Sequence, residues 1–278
     1  MPMQALGRLG FVGTGKITSA MVDGLCLRCP PVAPIVLSPR GARAPALLER
    51  HGQQRVAVAA DNQGVLDASD TVFLALRPPD AIEALQQLQF KPDQLVVSLM
   101  HGISPAAIAT AAAGCEASTI VRANPLPACA TGDGITAMSP PHPGVSALFD
   151  HLGSVHQVET LGDLHVLHAA SCLMGPIFQL MHTGAVWSAQ ANGAATAAGG
   201  GITEAAAESF MRDLLSSIAA EAGKDTHRFS SLVAQQTRGG LNENNIRRLR
   251  EAGAFVAASD ALTATLQDLR AANKPAAT

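Results

Sequence analysis

A chain of 278 residues exceeds what one hydrophobic core usually supports, so two domains are expected. Hydrophobic residues make up 47% and charged residues 15%, the composition of a well-buried globular protein with apolar surface left over for self-association. With 19 basic against 22 acidic side chains, a net charge of -3 and no run of Lys or Arg, nucleic acid and anionic membrane are excluded as expected partners.

The N-terminal stretch MPMQALGRLGFVG leads straight into a strand, without the charged, apolar and cleavage regions of a signal peptide, and a cytoplasmic location is expected. No apolar stretch is expected to be long enough to span a bilayer. From residue 8 to about residue 158, short β-branched runs alternate with helix-like segments, the pattern of a parallel α/β sheet. Strands are predicted at Leu9 to Val12, Ile35 to Leu37, Arg55 to Ala57, Thr71 to Leu76, Leu95 to Leu99, Thr119 to Arg122 and Gly134 to Met138. Helices are predicted at Thr18 to Leu27, Arg43 to His51, Gly64 to Ala68, Asp80 to Leu88 and Pro105 to Ala112. Near Leu161 the strand signal stops and Ala-rich, helix-favouring sequence takes over, which divides the chain into residues 1–159 and 160–278. One long helix is predicted from about Asp163 to about Gln190, followed by breaks at Asn192-Gly193 and Gly199-Gly200-Gly201. A second helix runs from about Thr203 to Ala222 behind an N-cap signal at Ile202-Thr203-Glu204, and Gly239-Gly240 marks a tight turn before a final helix pair. Residues Asn273 to Thr278 read as a frayed end.

The five cysteines, Cys26, Cys29, Cys115, Cys129 and Cys172, are an odd number scattered over a long chain, which is no disulfide framework. Cys26-Leu27-Arg28-Cys29 has redox or zinc spacing, yet no second such pair and no nearby His pair completes a tetrahedral site. No metal is expected.

Gly10-Phe11-Val12-Gly13-Thr14-Gly15-Lys16-Ile17-Thr18 follows the first strand directly and opens the first helix, the context a dinucleotide fingerprint requires. Such glycines permit a tight turn and let backbone N–H groups and the helix N-terminus approach a pyrophosphate. Gly10, Gly13, Thr14, Gly15, Lys16 and Ile17 are therefore cofactor-binding candidates, against the plainer alternative of an ordinary strand-to-helix turn. Thr18 stands where a third Gly or Ala is usual, so a slightly looser helix-to-strand contact is expected. An NAD site places Asp or Glu about 20 residues further on. Here that stretch is Ile35-Val36-Leu37-Ser38-Pro39-Arg40-Gly41-Ala42-Arg43, without an acid. Ser38, Arg40 and Arg43 offer a hydroxyl and two guanidinium groups suited to a 2′-phosphate, so NADP is expected, with NADPH preferred over NADH.

These residues, with Asp61-Asn62, Val72-Phe73-Leu74-Ala75-Leu76-Arg77-Pro78, Val97-Ser98-Leu99-Met100-His101-Gly102-Ile103-Ser104 and Arg122-Ala123-Asn124-Pro125-Leu126-Pro127-Ala128, stand in a characteristic order and spacing. In that respect the chain resembles the pyrroline-5-carboxylate reductases. The likeness continues in Ser171-Cys172-Leu173-Met174-Gly175-Pro176 and in Gly239-Gly240. The resemblance implies a Rossmann-type doubly wound sheet followed by an all-α dimerisation domain, in a homodimer joined through the C-terminal helices. It also implies that Asn62 contacts the adenosine ribose or its phosphate, that Leu76, Arg77 and Pro78 line the nicotinamide side, and that His101 and Gly102 pass beneath the cofactor. By the same likeness Pro125, Leu126, Met174, Gly175, Gln179, Gly239, Gly240, Leu241 and Asn242 belong to the substrate site. Three departures bear on the substrate: Arg77 replaces the family's Lys, Pro125-Leu126-Pro127 is shortened from Pro-Asn-Thr-Pro, and Leu241-Asn242 replaces a Thr-Thr that holds the substrate carboxylate. A sibling reductase for another small imine fits these departures as well.

Reduction of a cyclic imine needs a hydride donor facing the C=N carbon, a protonated nitrogen and something to orient the ring. His168, Ser171, Cys172, Gly175, Gln179 and His182 recur at spacings of three, four and seven, which places them on one face of an otherwise apolar helix. His182 or His168 could donate a proton or hold a carboxylate, against the alternative of satisfied core or interface histidines. Thr237, Gly239, Gly240 and Asn242 form a second cluster, whose paired glycines could expose N–H groups to a carboxylate or merely connect two helices. His182, Ser171 and Thr237 are the catalytic candidates.

Two rivals remain open at this point. A β-hydroxyacid dehydrogenase pairs the same domains but relies on a Lys on its central helix, whereas the lysines here are Lys16, Lys91, Lys224 and Lys274, none between Asp163 and Gln190. A non-catalytic NADP-binding sensor or scaffold is the other.

Overall fold

Short runs of Val, Ile, Leu and Phe form the sheet because alternate residues of each strand feed two different cores. The computed structural model describes residues 6–29, 33–191, 201–224 and 228–272. In chain order the first half runs β1 (Leu9–Val12), α1 (Lys16–Arg28), β2 (Ile35–Leu37), α2 (Arg43–His51), β3 (Val56–Val58), α3 (Asn62–Asp67), β4 (Thr71–Leu74), α4 (Pro78–Gln86), β5 (Leu95–Ser98) and α5 (Pro105–Ala111). It closes with β6 (Ile120–Pro125), β7 (Gly134–Ser139), α6 (Pro143–Asp150) and β8 (Gly153–Gln157). Strand order is β3-β2-β1-β4-β5-β6-β7-β8, so the chain reverses its direction of travel across the sheet between β1 and β4. Neighbours are parallel throughout except β6 against β7.

Phe11, Phe73 and Val97 point to one face, where they meet Met21, Leu25 and Phe149. Val12, Val72, Leu74 and Val96 point to the other, against Leu66, Leu85 and Ile108. The register that opposes Phe11 to Phe73 also stacks their rings at 4.6 Å, with Phe149 edge-on to Phe73 at 6.4 Å. Such pairs contribute roughly 0.5–1.5 kcal/mol beyond their burial.

The helical remainder consists of α7 (Leu161–Ser171), α8 (Met174–Gln190), α9 (Glu204–Ala222), α10 (Phe229–Ala234), α11 (Leu241–Glu251) and α12 (Ala254–Ala272). Thr203 caps α9, accepting from the Ala206 N–H at 3.2 Å, as its position predicts. The chain divides into two units, residues 6–168 with 266–272, and residues 169–265. Within the second, α8 packs along α9. Small residues allow that approach: Ala185 and Ala207 are buried, and a Cβ on Gly184 would lie 2.9 Å from the methyl of Met211.

Several sequence expectations are corrected. The single helix expected from Asp163 to Gln190 is two, because Cys172 and Leu173 turn tightly, their N–H groups donating to Ala169 and Ala170 three residues back. Pro176 explains this, since it offers no N–H to the Cys172 carbonyl and its ring crowds that oxygen. Contrary to expectation, the run Leu161–Gln190 is long and apolar enough by length and composition to cross a membrane. β8, α6 and the short α10 went unpredicted, and the third strand lies one residue later than expected, at Val56–Val58. The breaks expected at Asn192-Gly193 and Gly199-Gly200, and the end at Asn273 to Thr278, fall outside the described residues.

Candidate functional site

At the point where strand order reverses, the glycine-rich turn joins β1 to α1. Gly13 has φ +98, a conformation L side chains rarely adopt, and a Cβ there would sit 2.6 Å from the Ala75 carbonyl oxygen at the end of β4. Gly10 lies under α3, where a Cβ would strike Ser69 and Val65, while Gly15 caps α1 in open space. The Gly13 N–H donates to Ser38 Oγ at 2.9 Å, and Thr14 Oγ1 donates to the Ser38 carbonyl at 3.1 Å. Ser38, expected at a 2′-phosphate, is thus buried beneath the loop and ties the end of β2 to it. Thr18 is also buried, and its hydroxyl donates to the Gly13 carbonyl at 2.7 Å. Lys16 is exposed on the first turn of α1, and Ile17 half-buried beside it.

Beyond the end of β2, Pro39, Arg40, Asp61, Asn62, Gln63 and Gln87 line a cleft of about 350 Å³. Arg40 and Arg43 are exposed, and Asn62 begins α3 behind Asp61, which caps that helix by accepting from the Gly64 N–H at 2.7 Å. Leu76 is half-buried, whereas Arg77 and Pro78 are exposed at the start of α4, with Arg77 paired to Asp80 at 3.1 Å. The space beside Gly15 is open, Arg40 and Asn62 line the cleft, and Arg43 is exposed at the start of α2. These residues fit a phosphorylated nicotinamide dinucleotide.

Past β5, the loop Met100-His101-Gly102-Ile103 folds over Arg122 of β6. Gly102 has φ +68, and the His101 ring contacts that of His168 on α7, centroids 4.1 Å apart. Arg122 is 6% exposed and donates through its terminal nitrogens to the Ile103 and Met100 carbonyls, while its buried Nε has no hydrogen-bond partner. His165, one turn before His168, is 6% exposed with Nε2 likewise unpartnered. Burial pushes the Arg122 pKa down to about 10. Burial first, then the charges of His101, Arg122 and His165, hold His168 at about 4. His101 is lowered by desolvation and by Arg122, and His165 by burial, Arg122 and Arg270. At neutral pH the cluster is one guanidinium surrounded by neutral imidazoles. Pro125 is buried at the end of β6 and Leu126 half-buried beyond it.

Within residues 169–265 the remaining candidates fall on the end of α7, on α8 and on the turn into α11. Ser171 ends α7, and Met174, Gly175 and Gln179 are exposed on α8. His182 faces Glu208 of α9 at 3.6 Å, in a cleft of about 430 Å³ shared with Phe178, Met181, Met211 and Arg212. Thr237, Leu241 and Asn242 are exposed around the turn into α11. There the Gly240 N–H donates to the Thr237 carbonyl at 2.8 Å and the Gly239 N–H to the Glu243 carboxylate. The amides expected to cradle a carboxylate are already engaged by the chain itself. The sequence reading missed His165, although its spacing three residues before His168 was a usable signal, and it gave Arg122 no role.

The family of coenzyme F420-dependent NADP oxidoreductases matches residues 8–102. A pyrroline-5-carboxylate reductase from Methanosarcina acetivorans is 26% identical over 191 residues, covering 64% of this chain and 70% of that protein. The solved pyrroline-5-carboxylate reductase from Coxiella burnetii superposes with a TM-score of 0.76 at 21% identity, over 97% of this chain and 100% of its own. That of Plasmodium falciparum, with NADP bound, superposes at 0.75 and 15% identity, over 96% and 98%. Fold, glycine turn and relatives together define a Rossmann-type NAD(P)-dependent oxidoreductase. Within that class, the chain is similar to pyrroline-5-carboxylate reductases in sequence and in fold.

Proposed function

We propose that this protein uses NADPH to reduce the C=N bond of a small cyclic imine. The observation that carries the reading is the glycine turn at the reversal of strand order, braced by Ser38 and followed by an Arg-bearing cleft in place of the acid an NAD site carries. Bound there, the cofactor would supply the hydride. The chain's own work is to orient: amides of Thr14 and Gly15 and the N-terminus of α1 hold the pyrophosphate, Arg40, Arg43 and Asn62 the adenosine end with its 2′-phosphate, and Leu76, Arg77, Pro78 and Gly102 the nicotinamide end. An imine already carries a proton part of the time near neutrality, so water or a neutral imidazole is a sufficient donor.

We also propose a cytoplasmic homodimer, formed through helices of residues 160–278. Its support is the large apolar side chains left bare on α8 and α9: Leu180 and Trp187 share one side of α8, Phe178 lies on the other, and Phe210 is exposed on α9. Phe178 and Leu180 also belong to the run Leu161–Gln190 that is apolar enough for a bilayer, and self-association is the reading adopted for it.

The decisive assay follows NADPH absorbance, with NADPH supplied to 1-pyrroline, pyrroline-5-carboxylate and 2-keto acids and NADP+ supplied to 3-hydroxyacids. Consumption with an imine supports the reading; oxidation of a hydroxyacid, or binding without turnover, overturns it. Arg40→Ala is expected to raise the NADPH dissociation constant about 10–100-fold with little change for NADH, the loss of one charge-assisted contact.

A further inference from the structure

We propose that Arg122, His165, His168 and His101 form a binding site for the carboxylate of a small anionic substrate, an inference that rests on the imine-reductase reading above. Among the described residues no carboxylate pairs with Arg122, which is 6% exposed and keeps its charge beneath the Met100–Ile103 loop. A buried cation without a counter-charge is unfavourable, and an anion brought to it recovers what desolvation costs. Two buried nitrogens, Arg122 Nε and His165 Nε2, lack partners in this same cluster, and buried polar groups are normally satisfied. The rings of His101 and His168 touch at a tilt beside them, and His101 is exposed, so the cluster reaches the surface at the loop that carries Gly102.

Chemistry selects an anion over a cation. Arg122 acts on all three imidazoles, Arg270 adds a second positive charge near His165, and the unpartnered nitrogens in the cluster are those of Arg122 and His165. No group of three or more metal-ligating side chains occurs among the described residues. A carboxylate suits the planar guanidinium better than a point charge does. The other candidate cradle, at Gly239-Gly240, has its amides engaged by Thr237 and Glu243. A cofactor phosphate is the second possible source of such an anion, and the test separates the two.

Two measurements on the full-length protein decide the matter. In wild-type protein saturated with NADP, with histidines labelled for NMR, sodium acetate is expected to raise the His168 titration midpoint by about one pH unit or more relative to sodium chloride at equal ionic strength. In His168→Gln, the ratio of kcat/KM for pyrroline-5-carboxylate to that for carboxylate-free 1-pyrroline is expected to fall about tenfold, with the NADPH dissociation constant held within about twofold. A midpoint that acetate does not move, or an unchanged ratio, overturns the proposal. So does a loss of NADPH affinity that tracks the loss of turnover, since it assigns the cluster to a cofactor phosphate. If neither imine is consumed, it is the reductase reading that fails, and the acetate titration alone then decides for or against the anion site.

Discussion

Residues 6–168 and residues 169–265 bury their apolar side chains in opposite ways. The first unit hides Phe11, Phe73, Phe149, Met21 and Leu85 completely, on two faces of one sheet. In the second, the hydrophobic residues described as buried are Ala169, Ala185 and Ala207, while Phe178, Leu180, Trp187, Phe210, Ile218, Phe255 and Val256 are half exposed or more. At ~25 cal/mol per Å² of apolar area removed from water, it is large side chains that hold a fold together, and alanines supply little. The sheet unit has the means to stand by itself, whereas the helical unit requires a surface to cover it.

Four experiments break or sharpen that contrast. The largest effect is expected from Gly13→Val, where backbone strain of about 1–3 kcal/mol adds to a clash with Ala75. NADPH fluorescence titration should show binding weakened by about 100-fold or more, with light scattering unchanged, since the injury is confined to the sheet unit. Next, Leu180→Glu combined with Trp187→Glu, on one side of α8, should halve the mass seen by light scattering and lower the melting temperature in a concentration-dependent way, with NADPH affinity retained. A variant of undiminished mass would mean that this face is covered by something other than a second copy.

The third effect is a pH dependence belonging to the sheet unit. His168 has its folded pKa depressed to about 4 from an ordinary 6.5, so the unfolded chain takes up the proton first as pH falls. Stability is therefore complete above about pH 6.5 and is lost between there and pH 4, by about 1–3 kcal/mol in urea melts, and His168→Gln should flatten that window. The smallest effect is expected from His182→Ala. Its exposed pair with Glu208 contributes ~0–1 kcal/mol, so the fold should hold while kcat falls by less than about tenfold. Unchanged turnover would assign His182 to the α8–α9 contact alone.

Much of the sheet could be read from sequence because fully buried parallel strands are continuous apolar runs, as in Thr71–Leu74 and Leu95–Ser98. β8 escaped because Gly153–Gln157 is an edge strand of GSVHQ, largely exposed and with a single β-branched residue. α6 escaped because Pro143-Gly144 reads as a turn, although Pro143 is the first helical residue behind the His142 cap. In the site, the glycine turn was legible from its position after β1. The part played by Ser38 was not, because bracing a loop across 25 residues depends on how β1 and β2 pair. Arg122 was legible only as a letter in a motif, since its isolation from any acid emerges only once β6 is placed under the Met100–Ile103 loop.

Trp187, 69% exposed on α8, is the chain's one tryptophan, and there is no tyrosine. Intrinsic emission therefore comes from a single indole on the bare helical face. Its colour would shift toward the blue when that face is covered and toward the red on dilution, so the protein carries its own optical gauge of assembly and needs no dye.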